Sequence, residues 1–390
     1  MTLTYKNDVN RGHNMTTKYN MVRNAVKSKI IDGTYTPNQK ISSESELMKE
    51  FGVSRHTVRL AIGDLVTKGW LYREQGSGTF CADRSKLDNI NNISNQKNIA
   101  IVTTYLSDYI FPSIIRGAES RLSDEGYQVS IFSTNNNHDN ERNILEKILS
   151  QRFDGVIVEP TKSAYSNPNI TYYLNLEQLS IPYIMINAYY DELEPLSIVM
   201  DDEKGGFLQA EHLINLGHKE IVGCFKTDDT QGIKRMKGFL KAHRQNNIPI
   251  NPSNIITYNT EEKFEKPNRE LEKLLSADNQ VITGLVCYND ELAMRLLDLL
   301  RVKNIRVPED ISIVGHDDSL LAEVSEVKLT SIVHPQSELG ELAANTIIDL
   351  VKSKNKSVKT YNSSSKVYEP ELVIRSSTKE INHLETISQK

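Results

Sequence analysis

From Lys18 the apolar positions recur with a helical spacing, Val22, Val26 and Ile30, and Gly33 lies just past the end as a stop signal. Ser43 and Glu46 have the spacing of a capping box and open a short helix through Leu47 to Phe51. Gly52-Val53-Ser54 breaks it, and Ser54 is placed to cap a further helix running to about Lys68, ended by Gly69. Trp70–Arg73, Gly76-Ser77-Gly78 and Thr79–Cys81 read as strand, glycine turn and strand. The order is helix, helix, turn, helix, β-hairpin. Before it, residues 1–14 show no periodicity and are expected to be disordered. Structure-forming sequence begins after Met15, which makes Met15 a candidate translation start.

After Asn98 the texture changes. Short apolar runs appear at Ile99–Val102, Val129–Phe132, Gly155–Val158, Tyr183–Ile186, Ile221–Phe225, Gly284–Cys287 and Ile311–Val314. Between most of them lie amphipathic stretches: Ile114–Leu122, Glu141–Leu149, Phe207–Leu216, Arg235–Arg244, Glu291–Val302 and Leu339–Val351. This alternation predicts βαβ units around parallel sheets covered on both faces, in two lobes. The expected fold class is α/β in the body with a small α+β head. The expected domains are residues 15–85, an Asn-rich linker at 86–97, and 98–380. Ligands of such sheets bind outside the carboxyl ends of the strands, which singles out Glu159, Asn187, Asp228, Asn289 and Asp317.

Charge divides along the same line. The chain of 390 residues has a net charge of −5. Residues 1–86 carry 14 Lys and Arg against 8 Asp and Glu, whereas the remainder carries 32 against 43. A basic head on an acidic body predicts that only the head meets a polyanion. No run approaches the ~18 apolar residues of a membrane span, and the polar start lacks a secretory signal. Cys81, Cys224 and Cys287 are isolated, which excludes a Cys-based zinc or disulfide framework. The expected location is the cytoplasm.

The head has helix-turn-helix logic. Val58, Ile62 and Leu65 can bury one face, leaving Arg55, His56 and Arg59 near the opposite one, where a recognition helix meets base edges. Arginine's fork can give two hydrogen bonds to guanine. Lys18, Lys27 and Lys29 are placed for phosphates, and Gln75 and Ser77 at the hairpin tip for the backbone or minor groove. The stretch ISSESELMKEFGVSRHTVRLAIGDLVTKGWLYREQGSGTF resembles the winged helix-turn-helix of the GntR family. That resemblance implies double-stranded operator DNA as partner, with Lys18, Glu44, Arg55, His56, Arg59, Gln75 and Ser77 as DNA contacts.

In the body, side chains suited to a sugar collect after the strands. Paired hydrogen bonds to hydroxyls need Asp, Asn, Arg, Glu or Lys, and C–H faces need an aromatic ring. Candidates are Tyr109, Phe111, Glu159, Lys162, Arg235, Asn289 and Asp317. VPEDISIVGHDDS, LTSIVHPQSELGELAA and LGHKEIVGCF resemble the LacI/GalR effector domain, related to periplasmic sugar-binding proteins. The resemblance implies sugar contact by Arg235, Asn289 and Asp317, a matching polar position at Glu159, and a further candidate at His334. A head of the first kind on a body of the second is found in arabinose-responsive repressors of Gram-positive bacteria, and TTYLSDYIFPSIIRGAES and DDTQGIKRMKGF look like theirs. This implies a homodimer that leaves its operator when L-arabinose binds, with no cofactor, no metal and no membrane partner; another pentose or hexose is the alternative effector. A sugar-processing enzyme with a DNA-binding head is the other class weighed. Adjacent acids such as Asp201-Asp202, Asp228-Asp229 and Asp317-Asp318 cannot face each other across a substrate, so one member should bind and the other cap or brace.

Overall fold

A computed structural model describes residues 8–83, 97–106, 109–151, 153–277, 281–353 and 364–381. By contacts the chain divides into two units, one of residues 1–96 with 170–180, the other of residues 97–169 with 181–390.

The head runs α1 (Asp8–Ile31), α2 (Glu44–Phe51), α3 (Arg55–Thr67), β1 (Leu71–Glu74) and β2 (Gly78–Cys81). The capping box forms: Ser43 Oγ accepts from the Glu46 amide at 3.3 Å, and the Glu46 carboxylate accepts from the Ser43 amide at 2.7 Å. Gly52 takes φ 60°, the left-handed turn that separates α2 from α3. Ser54 Oγ caps α3 by accepting from the Thr57 amide at 3.2 Å. Val22, Val26, Leu47, Val58, Ile62, Leu65, Trp70 and Leu71 are buried. β1 and β2 pair antiparallel from Leu71–Cys81 to Glu74–Gly78, the expected hairpin. One expectation needs correction: α1 begins at Asp8, within the stretch read as disordered, while residues 1–7 lie outside the described residues. The expected linker also lies outside them, except Lys97, which opens the first strand of the body.

The chain continues β3 (Lys97–Thr103), α4 (Phe111–Asp124), β4 (Tyr127–Ser133), α5 (His138–Gln151), β5 (Gly155–Val158), α6 (Ile170–Gln178), β6 (Tyr183–Ile186) and β7 (Ser197–Met200). Then come α7 (Asp202–Asn215), β8 (Ile221–Lys226), α8 (Thr230–Gln245), β9 (Ile255–Tyr258), α9 (Lys266–Leu275), β10 (Gly284–Cys287), α10 (Asp290–Val302), β11 (Ser312–Asp317), α11 (Leu320–Val324) and β12 (Thr330–Val333). α12 (Gln336–Ser353), β13 (Lys366–Tyr368) and β14 (Leu372–Val373) close the chain. The strands form two sheets, ordered β13-β7-β6-β5-β3-β4 and β14-β12-β11-β10-β8-β9. All pairings are parallel except β12 with β14. The chain enters the second lobe after β7 and returns after β12, because α12 packs Leu339, Ala343 and Ile347 into the first lobe's core with Ile99 and Ile114.

Each sheet has a point where strand order reverses, between β3 and β5 in one lobe and between β8 and β10 in the other. A crevice opens at the carboxyl ends of strands flanking such a point. The candidate side chains sit there.

Candidate functional site

At the first lobe's reversal point, Glu159 follows β5 and Thr104 follows β3. Glu159 accepts the Thr104 amide at 2.8 Å and its hydroxyl at 2.5 Å on one oxygen, and Asn187 Nδ2 at 2.9 Å on the other. Burial pushes the Glu159 carboxyl up, against the pull of these donors. Asn187 stands at φ 64°, and its Oδ1 lies 3.2 Å from His334 Nε2. His334 is 7% exposed, and burial lowers its imidazole to about 4.

The second lobe supplies the charged wall. Gly206 and Gly238 let α7 and α8 approach so closely that a Cβ at either would meet backbone oxygen at 2.1 or 1.9 Å. That approach brings Arg235 onto Asp202, with Nε donating to Oδ1 at 2.8 Å. Arg235 also donates to the Tyr288 carbonyl at 2.7 Å, reaches Asp317 at 3.4 Å and lies over the Tyr288 ring at 4.9 Å. Burial alone would lower the guanidinium's affinity for its proton, but the two carboxylates raise it further. Burial would likewise raise Asp317, yet Arg235 and His316 hold it well below the usual carboxylate range. Asp317 adopts φ 93°, which costs an ordinary residue about 1–3 kcal/mol. Lys226 Nζ bridges Asp228 at 3.1 Å and Asp229 at 2.9 Å, and Tyr288 Oη donates to Asp229 at 2.7 Å.

These residues line one cleft. Of the expected sugar contacts, Tyr109, Phe111, Glu159, Arg235, Asn289, Asp317 and His334 all border it. Asn289 Oδ1 is committed to capping α10 through the Leu292 amide at 2.9 Å. Lys162 is a correction: it does not border the cleft but pairs with Glu261 at 2.6 Å on an outer rim. Tyr109 also differs from expectation. Its hydroxyl crosses to the other lobe, donating to the His316 carbonyl at 2.9 Å and accepting the Asp290 amide at 3.0 Å. Asp228 is fully buried and accepts the Thr260 amide at 2.9 Å, so its neighbour Asp229 is the one in the cleft. Two of the adjacent pairs divide their roles, whereas Asp229 both caps α8 and borders the cleft. Asp201 caps α7 while Asp202 holds Arg235, and Asp318 braces Arg375 at 2.6 Å while Asp317 faces the cleft.

Sequence reasoning missed Tyr105, Lys226, Gln231 and Tyr288, which also border the cleft. For Lys226 and Gln231 the stretch KTDDTQG, which begins on the last residue of β8, was the available signal. Two further bridges join the lobes at the rim: Asn136 Nδ2 donates to Thr260 Oγ1 at 2.6 Å, and the Thr230 amide donates to Ser163 Oγ at 2.9 Å.

In the head, Lys18, Arg55, His56, Arg59, Gln75 and Ser77 are exposed as expected, opposite the buried Val58, Ile62 and Leu65. Arg59 Nε donates to both Glu44 oxygens at 3.1 and 3.0 Å, and Arg55 lies 4.0 Å from the same carboxylate. Glu44 therefore gathers the two arginines at one end of α3. Lys29 is engaged by Glu50 at 2.5 Å, and Lys27 lies over the Trp70 ring at 5.0 Å. No helix among the described residues is long and apolar enough to cross a membrane.

Comparison with known proteins agrees with both parts. Residues 18–81 match the gntR family of bacterial regulatory proteins, and residues 210–378 match the periplasmic binding protein-like domain. The chain is 59% identical to the arabinose metabolism transcriptional repressor of Halalkalibacterium halodurans, over 94% of this chain and 98% of that one. It is 46% identical to the protein of the same name from Geobacillus stearothermophilus, over 93% and 98%. Among solved structures it is similar to a LacI family transcriptional regulator from Enterococcus faecium with bound ribose. That match has a TM-score of 0.62 and 25% identity, and covers 73% of this chain and 100% of that one. The transcription regulator CcpA of Lactococcus lactis, 22% identical with a TM-score of 0.62, shares the fold over 73% of this chain and all of its own.

Proposed function

We propose a mechanism from one premise: this chain belongs to the family of the arabinose metabolism transcriptional repressors, DNA-binding regulators that join a gntR-type head to a sugar-binding body. In this reading the effector is L-arabinose, bound between the lobes with no further cofactor. Two chains act together in the cytoplasm, their heads on the half-sites of a roughly palindromic operator.

The observation that carries the reading is the charge state of the cleft. Its two central cations are already engaged by acids, Arg235 by Asp202 and Asp317, and Lys226 by Asp228 and Asp229. An anionic ligand would have to break those pairs. Gln231 Oε1 and His334 Nδ1, in contrast, are buried without a hydrogen-bond partner among the described residues, and both residues border the cleft. Neutral hydroxyls satisfy such atoms, which fits a small sugar.

Sugar binding favours the closed arrangement in which Tyr109, Asn136, Lys162 and Ser163 bridge the lobes. A ligand shifts this balance only by its differential affinity for the two states, with couplings of about 1–3 kcal/mol. Closure changes how the two bodies meet and hence the spacing of the heads. The test is an operator shift assay with L-arabinose, D-ribose, D-xylose and D-galactose. Release by L-arabinose alone supports the reading; release by another sugar with L-arabinose inert replaces the effector.

A further inference from the structure

The buried chain Thr104, Glu159, Asn187, His334 runs in one direction, and that direction determines the chemistry at its open end. Glu159 takes three donors: the amide and hydroxyl of Thr104 at 2.8 and 2.5 Å, and Asn187 Nδ2 at 2.9 Å. Burial pushes the Glu159 carboxyl up, but all three donors are aimed at its ionised form, and an ionised carboxylate only accepts. Asn187 must therefore turn its NH2 toward Glu159 and its carbonyl toward His334. That carbonyl lies 3.2 Å from His334 Nε2 and can only accept, so Nε2 carries the imidazole proton. A neutral imidazole has one N–H, which leaves Nδ1 bare. Nδ1 is buried and has no partner among the described residues.

We propose that Glu159 and Asn187 are positioning residues that fix the tautomer of His334, making its Nδ1 an obligate acceptor so that the cleft selects a ligand donating a hydroxyl at that point. This rests on the cleft being the sugar site proposed above. It gives Glu159 a role distinct from direct sugar contact. The lowering of His334 by burial to about 4 keeps the ring neutral near pH 7, as the arrangement requires. Selection follows from the asymmetry of unmet hydrogen bonds. A sugar with hydrogen or fluorine in place of the donating hydroxyl leaves Nδ1 unpaired, since fluorine accepts but cannot donate.

The relay can be reversed with a single isosteric change. In Glu159→Gln the new amide donates to Asn187 Oδ1, Asn187 flips, its NH2 donates to His334 Nε2, and the proton moves to Nδ1. The test uses the full-length protein labelled with 15N-histidine, the His334 signals being assigned by their loss in His334→Gln. Long-range 1H–15N spectra should show the Nε2–H tautomer in the wild type and the Nδ1–H tautomer in Glu159→Gln. A wild-type Nδ1–H tautomer, or a tautomer unmoved by Glu159→Gln, overturns the proposal. Should Glu159→Gln fail to fold, the wild-type tautomer decides. Calorimetry of the wild type with monodeoxy and monodeoxyfluoro L-arabinoses reads the selection. One position should lose roughly tenfold to a hundredfold in affinity with either replacement, the effect of one buried atom left unpaired. Fluorinated analogues that bind like the parent at every position refute it. If L-arabinose itself does not bind, the effector reading fails, and the tautomer measurement still judges the relay.

Discussion

Tyr109→Phe separates two roles of one side chain. The aromatic ring after β3 suggests a stacking surface for sugar C–H groups, and Phe keeps that surface. The hydroxyl instead ties the lobes together, donating to the His316 carbonyl and accepting the Asp290 amide at 2.9 and 3.0 Å. Both residues it reaches are fully buried. Without the hydroxyl, a carbonyl and an amide of the second lobe lose their partner at a place water enters only when the lobes part. Each such group costs about 1–3 kcal/mol, and the cost falls on the closed state alone. Even a net loss of ~1.4 kcal/mol, below the low end of about 2 kcal/mol for two such groups, weakens binding coupled to closure tenfold. Calorimetric titration with L-arabinose should therefore give a Kd at least about tenfold higher in Tyr109→Phe. Operator affinity without sugar, followed by fluorescence anisotropy, should be unchanged. A Kd within about twofold of wild type would refute the bridging role. If Tyr109→Leu then lost affinity, the ring would be the functional part.

Four other outcomes are expected. Arg235→Ala strands the buried carboxylates of Asp202 and Asp317 and should destabilise the body by about 3–5 kcal/mol in urea unfolding while abolishing release by sugar; normal release would remove Arg235 from the site. Arg59→Ala should cost about 1–3 kcal/mol of operator affinity in shift assays, which should also fall steeply with salt, and unchanged binding would take Arg59 off the base-reading face. Lys162→Ala breaks a pair whose acidic partner is 61% exposed, so the sugar Kd should move by less than about fivefold; a larger shift would mean the rim pair governs closure. His334 binds its proton at about 4 in the folded chain against 6.5 in the unfolded one. The unfolded chain takes up that proton first, so stability falls as pH drops from about 6.5 to 4, by about 3 kcal/mol at ~1.4 kcal/mol per pH unit. His334→Gln should flatten that part of the profile, and an unchanged slope would show that the ring is not held neutral.

The central strands were legible almost to the residue. Gly155–Val158, Tyr183–Ile186 and Gly284–Cys287 match their apolar runs, because a parallel strand buried on both faces is unbroken hydrophobic sequence. β12 escaped the same test. Thr330 and Ser331 are fully buried yet polar, and they are tolerated there by bonds that no local pattern announces, the Thr330 amide to Ser377 and the Ser331 hydroxyl to Asp290. β13 and β14 are three and two residues long and pair with strands laid down far earlier in the chain. The early start of α1 was hidden because residues 8–17 have no apolar repeat for periodicity to find.

At the site, the strand-end rule located residues but not relationships. It brought out Glu159, Asn187, Asn289 and Asp317 because each follows or ends a core strand. It could not distinguish Asp228 from Asp229, since alternation stops where β8 ends and the turn into α8 decides which carboxylate faces the cleft. Residue type likewise suggested sugar contact for Lys162, whose charge Glu261 takes up from 99 positions away. The deeper gap concerns what selects the ligand. Counting charged side chains suggests recognition by charge, but Arg235 and Lys226 are both neutralised by acids drawn in from other helices and turns. With both cations already engaged, discrimination passes to hydrogen-bond polarity, meaning which buried atoms can only accept and which can only donate. That property belongs to no single residue. His334 becomes an acceptor because Asn187 faces it with a carbonyl, and Asn187 does so because Glu159 is charged, a chain of constraints that exists only after the lobes have assembled.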